Sequence, residues 1–180
     1  MTTIQPIDEL EKFYEQNDPW QYETTPDDQK RKEIILSEIP NKSYKNVIDI
    51  GCGQGFITRD LPGNNVVGID ISFNGIERAK IQQTNRIEFI CASIFELSKI
   101  FTHKFDLILI TGVLYSQYIG ESHNLVYKII DNLLLNDGIL VCCHINSWYN
   151  ARFPYLMLES SFFKYREYTQ RLEVYIKWLF

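Results

Sequence analysis

Asp49 stands near the end of an apolar run, Val47-Ile48-Asp49-Ile50, that breaks at once into Gly51-Cys52-Gly53-Gln54-Gly55. An ionised carboxylate on a buried strand is costly unless something pairs with it. Three glycines within five residues allow a tight turn and let a ligand approach bare backbone. Asp70 closes a second apolar run, 19 residues after Gly51. A glycine turn with an acid at that distance is how open α/β sheets hold ribose hydroxyls. These residues therefore predict a ribose-containing ligand. Further along, His144 ends an apolar run and is the candidate general base, with a hydrogen-bonded structural histidine as the competing reading. Tyr115 follows another such run and is a candidate for lining an acceptor pocket. His103 and His123 fall where surface residues are expected.

The elements that position these residues alternate. KNVIDI (45–50), VVGID (66–70), RIEFICA (86–92), FDLILI (105–110) and GILVCCHI (138–145) are expected strands. Helices are expected at 6–16, from Asp27 to about Ile39, from Phe56 to Leu61, from Asn74 to Gln83 and from Ser122 to Leu135. Pro62 to Asn65 and Asn136-Asp137-Gly138 are expected turns. Near-continuous apolar strands alternating with helices imply a parallel sheet covered on both faces. The last segments, 161–169 and 171–179, alternate with period two and predict an antiparallel hairpin at the sheet edge. The fold class is thus α/β, with one domain spanning 1–180.

Composition narrows the function. The chain has 180 residues, 45% hydrophobic and 23% charged, with a formal net charge of −5. That balance suits one globular domain and argues against a large nucleic-acid footprint, which needs a clustered basic surface. Nothing approaches the roughly 20 apolar residues of a bilayer span, and the polar start is no signal peptide. A cytoplasmic protein is expected. Cys52, Cys91, Cys142 and Cys143 form no C-x-x-C pair, so reduced, buried thiols are expected and no metal site.

The dinucleotide fingerprint G-x-G-x-x-G fails here by one residue, because position 56 is Phe and the third glycine is Gly55. An acid inside the preceding strand is also foreign to it. Asp49 to Gly55 instead resembles the (D/E)-x-G-x-G-x-G motif of class I S-adenosylmethionine-dependent methyltransferases, and the resemblance covers about the whole chain. It implies a Rossmann-like fold with a mostly parallel seven-stranded sheet in the order 3-2-1-4-5-7-6 and a C-terminal antiparallel hairpin. It implies S-adenosylmethionine as cofactor and S-adenosylhomocysteine as product. Asp70 takes the place of the ribose acid. Ser93 stands where the family often carries an adenine-binding Asp. Asp49, Gly51, Cys52, Gly53, Ile71, Ile94 and Thr111 join the cofactor-binding set.

The segment Phe13 to Thr25, with Asp18-Pro19-Trp20, Tyr22 and Thr24-Thr25, is similar to the start of a narrower group of nodulation N-methyltransferase-like and sugar methyltransferases. That similarity implies that residues 1–40 are lid helices, with Trp20 and Tyr22 over the sulfonium side. Arg31 falls near the group's basic position, and a guanidinium there can grip the methionine carboxylate. The implied partner is a small-molecule acceptor with a hydroxyl or an amine, a sugar or sugar-like compound first, and the assembly a monomer or homodimer. Methylation of a protein or RNA nitrogen, and a non-catalytic partner subunit, are the alternatives. No N-P-P-Y follows 105–110, where Ile110-Thr111-Gly112-Val113 stands instead.

Overall fold

The central strands are apolar along their length because both of their faces are covered. The computed structural model describes residues 4–150 and 152–178. Strands β1 (Asn46–Ile50), β2 (Asn65–Asp70), β3 (Ile87–Cys91), β4 (Phe105–Thr111), β5 (Leu134–Ile145), β6 (Leu156–Tyr165) and β7 (Tyr168–Ile176) form one sheet. Its order is β3-β2-β1-β4-β5-β7-β6. The first five strands pair in parallel, while β7 pairs antiparallel with both β5 and β6. This is the fold that the alternation and the resemblance predicted.

Helices α1 (Ile7–Phe13), α2 (Pro26–Ser37), α3 (Phe73–Ala79), α4 (Leu97–Ile100), α5 (Ser116–Ile119) and α6 (His123–Leu133) complete the chain. Ile35 of α2 and Ile76 of α3 pack on one face of the sheet with Val47, Leu107 and Leu109. Val126, Ile130 and Leu133 of α6 pack on the other face with Ile48, Ile108 and Ile110. Alternation along β4 thus sends Leu107 and Ile108, both fully buried, to opposite cores. Each such side chain contributes about 1.5–3 kcal/mol of burial. Among the described residues no helix is long and apolar enough to cross a membrane.

Several elements differ from expectation. The helix predicted over 56–61 is a single 3-10 turn, Thr58–Asp60, because Pro62 and β2 at Asn65 leave too little chain for a longer one. Asn136-Asp137-Gly138 does not end an element: β5 starts at Leu134, and Asp137 (φ +61°) sits where the register with β4 slips. The hairpin turn falls at Arg166-Glu167, four residues before the predicted break at Gln170, and β6 begins at Leu156 rather than at 161. Arg166 adopts φ +52° there, the backbone that two-residue hairpin loops need at their first position. Leu179, assigned by the alternation to the last strand, lies outside the described residues. Cys52, Cys142 and Cys143 are buried, but Cys91 at the β3 end is exposed.

Candidate active site

The glycine turn crosses the carboxyl ends of β1 and β2, where an open α/β sheet binds ligands. Gly51 has φ +83°, and a Cβ there would collide with Val113. Gly53 has φ +54°, and a Cβ there would lie 2.8 Å from the Tyr14 hydroxyl. Most of the turn's N–H groups are paired within the protein. Gly51 and Cys52 N–H donate to Ile69 O at 2.7 and 2.9 Å, and Gly55 N–H donates to Cys52 O at 2.9 Å. Gly53 N–H donates to Asp70 Oδ2 at 2.9 Å. A pyrophosphate needs such groups unpaired, so the turn suits a ligand without phosphates.

Asp70 also accepts from Ser72 N–H through Oδ1 at 2.9 Å. Burial holds its carboxyl above the usual range, while the Ser72 and Gly53 N–H groups pull it back. Ile71, next in the chain, is 48% exposed. Ser93 is the N-cap of the turn Ile94–Glu96, accepting from Phe95 N–H while Glu96 accepts from Ser93 N–H. Its hydroxyl keeps a hydrogen to donate. Ile94 is buried, and Thr111 is half-buried at the end of β4.

The N-terminal segment closes over this edge. Trp20 lies between Phe13 (4.3 Å) and Tyr22 (6.2 Å), and Tyr22 stacks on Phe56 beside the glycine turn at 5.6 Å. Trp20 Nε1 donates to the Tyr14 hydroxyl at 3.4 Å. Asp18 fixes the local turn by accepting from Tyr22 and Glu23 N–H. Glu11 accepts from Ser72 Oγ, Phe73 N and Asn74 N at 3.0, 2.6 and 3.0 Å, so it pins α1 to the segment after Asp70. On the other side Arg166 donates to Trp20 O and to Asp28, both at 2.6 Å. Glu23 pairs with Arg59 at 2.6 Å.

Beneath this cap, Arg31 and Asp49 are both buried, at 6% and 1% exposure. Asp49 Oδ2 accepts from Thr58 Oγ1 at 2.6 Å, while its Oδ1 has no hydrogen-bond partner. Burial raises the Asp49 carboxyl to about 7, against the Thr58 hydrogen bond and the nearby Arg31 charge. Arg31 lies 5.6 Å from the centre of the Tyr165 ring, and its Nε is unpartnered. Asp28, on the same helix, is engaged by Tyr165 (2.6 Å) and Arg166. A buried guanidinium and a buried carboxylate with one oxygen open are complementary to an amino-acid head group.

At the ends of β4 and β5 both nominated side chains, His144 and Tyr115, are buried and engaged by backbone N–H groups. His144 is fully buried; its Nε2 accepts from Leu114 N–H at 3.2 Å, and its ring stacks on Tyr149 at 4.4 Å. Burial, with Arg31 and Arg171 nearby, lowers it to about 3. Leu114 N–H thus engages Nε2, while Nδ1 is buried without a hydrogen-bond partner. Tyr115 is also locked: its hydroxyl accepts from Ile145 N–H at 2.7 Å, and burial raises it to about 12.

The cofactor-binding candidates therefore gather along one edge, with Trp20, Tyr22 and Arg31 closing over Asp49, Gly51, Cys52, Gly53 and Asp70. Three contributors escaped sequence reasoning. Tyr14 sat inside the aromatic segment but was not singled out. Glu11 lay among other acids of an unremarkable helix, so no spacing marked it. Thr58 carries no motif at all.

Comparison with known proteins agrees with this geometry. Residues 41–176 match the family model described as a methyltransferase domain; the first 40 residues lie outside it. The chain is 25% identical over 146 residues to malonyl-[acyl-carrier protein] O-methyltransferase of Acetivibrio thermocellus, a match covering 78% of this chain and 47% of that protein. It spans less than half the length of the curated relatives it matches. Among solved structures, N-methyltransferase NodS from Bradyrhizobium japonicum WM9 in complex with S-adenosyl-L-homocysteine superposes with a TM-score of 0.79. That match has 21% identity and covers 95% of this chain and 97% of the other. The methyltransferase complex of the Haloferax volcanii Trm112 activator gives a TM-score of 0.74 at 13% identity, covering 98% and 99%.

Proposed function

The chain belongs to the methyltransferase-domain family and has its class I, S-adenosylmethionine-dependent fold; on that premise we propose that it transfers a methyl group from S-adenosylmethionine to the amine of a small, sugar-like molecule. The donor supplies an activated methyl on a sulfonium. The observation that carries the reading is the buried Arg31 guanidinium, whose Nε lacks a partner while the neighbouring Asp28 is engaged elsewhere. Arg31 holds the donor's carboxylate and Asp49 Oδ1 its ammonium. Asp70 accepts the ribose hydroxyls with the lone pairs left by Gly53 and Ser72. Residues 1–40 act as a lid, with Trp20 and Tyr22 excluding water and offering aromatic faces to the sulfonium.

The engaged state of His144 and Tyr115 supports an amine acceptor. A hydroxyl acceptor needs a base in reach, and both side chains are buried and already accept from backbone N–H groups. An amine reaching the site in its neutral form brings its own lone pair, and positioning lowers the barrier. A carboxylate acceptor also arrives with a free lone pair and is the second reading. Calorimetry with S-adenosylhomocysteine tests the donor half: micromolar binding is expected, and no heat with either it or S-adenosylmethionine would refute the proposal. Labelled-methyl transfer to a panel of amines, alcohols and carboxylates tests the acceptor half.

A further inference from the structure

Cys143 of β5 is fully buried, in the core that this strand shares with Ile35 of α2 and Leu172 of β7. The chemistry above makes no use of it. Its thiol donates to Gln170 Oε1 at 3.0 Å. Gln170 is buried in turn and is held in the sheet between its ladder partners, Ile145 of β5 and Phe163 of β6. Burial pushes the thiol up to about 11, so it remains an S–H at neutral pH; Arg31 opposes that rise with its charge and with a hydrogen bond to the sulfur. A thiol has one hydrogen to give. Giving it to Gln170 leaves the sulfur's lone pairs for the guanidinium.

The other neighbours of Arg31 are arranged in the same sense. Its guanidinium lies 5.6 Å from the centre of the Tyr165 ring, and the Tyr165 hydroxyl is committed to Asp28 at 2.6 Å. Asp28 also accepts from Arg166, so its carboxylate is turned to other donors. A neutral sulfur and an aromatic face orient a guanidinium without cancelling its charge. A carboxylate in their place would occupy the guanidinium fork itself. We propose that Cys143, held by Gln170, is the positioning residue for Arg31: it sets the direction of the guanidinium and thereby governs how tightly the donor's carboxylate is gripped. This rests on the methyltransferase reading above and on its assignment of Arg31 to that carboxylate. Cys143 acts through Arg31, as a group that locks the geometry of a binding side chain.

Calorimetry with S-adenosylhomocysteine and with 5′-methylthioadenosine tests this, because the second ligand keeps the nucleoside and the thioether but lacks the carboxylate. Cys143→Ala is expected to raise the S-adenosylhomocysteine Kd about tenfold and to leave the 5′-methylthioadenosine Kd within twofold. Cys143→Ser keeps a donor and an acceptor and is expected to stay within threefold of the wild type for both. Gln170→Leu keeps the sulfur but releases its hydrogen, and is expected to raise the S-adenosylhomocysteine Kd about fivefold. Placed on Arg31→Met, Cys143→Ala is expected to add less than a further twofold, the mark of two residues acting as one. Thermal melts identify the variants that fold. Equal loss of both ligands in Cys143→Ala makes the residue structural and overturns the proposal. So does an unchanged S-adenosylhomocysteine Kd in folded Cys143→Ala or Gln170→Leu. Arg31→Met with wild-type affinity refutes the carboxylate assignment beneath it, and a wild type that binds neither S-adenosylhomocysteine nor S-adenosylmethionine refutes the methyltransferase reading itself.

Discussion

Replacing Arg31 with Met separates a ligand-binding guanidinium from a structural one. Met is close in length, unbranched and apolar, so it fills the space under the cap without a charge. In the free protein Arg31 is buried and its Nε has no partner, while Cys143, Tyr22, Asp28 and the Tyr165 ring at 5.6 Å favour its charge. Burial costs the guanidinium its hydration, and these neighbours offset that cost. Met removes both contributions, so the ligand-free melting temperature is expected to shift by only a few degrees. The donor complex loses more. A charge-assisted bond to a carboxylate is worth about 1.5–3 kcal/mol. Taking 2–3 kcal/mol for a bidentate grip, S-adenosylhomocysteine affinity falls about 30- to 150-fold at 1.36 kcal/mol per tenfold. Calorimetry gives the Kd, and differential scanning fluorimetry with and without ligand gives both melting temperatures. A variant that melts well below the wild type yet binds S-adenosylhomocysteine as tightly refutes the argument, because Arg31 would then be holding the fold.

Other expectations follow from the same geometry. The Asp49 carboxyl, raised to about 7 in the fold against an ordinary value of 3.8, stays protonated where the unfolded chain has already ionised. Folding therefore takes up a proton between about pH 4 and 7, and this group's contribution to stability falls as pH rises through that window and is flat above it. Asp49→Asn should flatten the slope of wild-type stability against pH in that window, measured by urea unfolding; an unchanged slope would show that Asp49 is not the group responsible. If Asp49 holds the donor's ammonium, S-adenosylhomocysteine affinity should also rise with pH through about 7 in the wild type and not in the variant. Glu11→Ala removes three hydrogen bonds to 72–74, each worth roughly 0.5–1.5 kcal/mol. Hydrogen exchange over 7–23 should quicken, and S-adenosylhomocysteine should dissociate at least fivefold faster in stopped flow. His144→Gln keeps an acceptor for Leu114 N–H, so kcat should stay within about threefold; a folded variant with kcat reduced a hundredfold would restore His144 as a base.

Much of this molecule could be read from spacing alone, and the exceptions share a cause. The strands were visible because burial on both faces leaves long apolar runs, and Asp49, Gly51 and Asp70 were visible because their costs stood out against those runs. The 3-10 turn at Thr58–Asp60 was mistaken for a helix because local pattern does not register how little chain remains before β2. The hairpin turn was misplaced because Arg166 carries no turn signature; its positive φ is sustained by contacts to Trp20 and Asp28, far away in sequence. The base and structural readings of His144 stayed open in the sequence for a similar reason. Only the fold reveals that Leu114 N–H already occupies Nε2.

Those long-range contacts bear on how specificity is divided in the chain. The family match begins at residue 41, so the glycine turn lies within the shared scaffold while the N-terminal segment packed over it does not. Yet the cap is anchored at both ends of the scaffold, through Glu11 to the segment after Asp70 and through Arg166 to the β6–β7 turn. Arg166 therefore ties the N-terminal segment to the β6–β7 turn. If that tie holds the segment over the glycine turn, Arg166→Ala should weaken S-adenosylhomocysteine binding at least as much as Glu11→Ala. Unchanged binding in a folded Arg166→Ala would show that the hairpin turn does not support the segment.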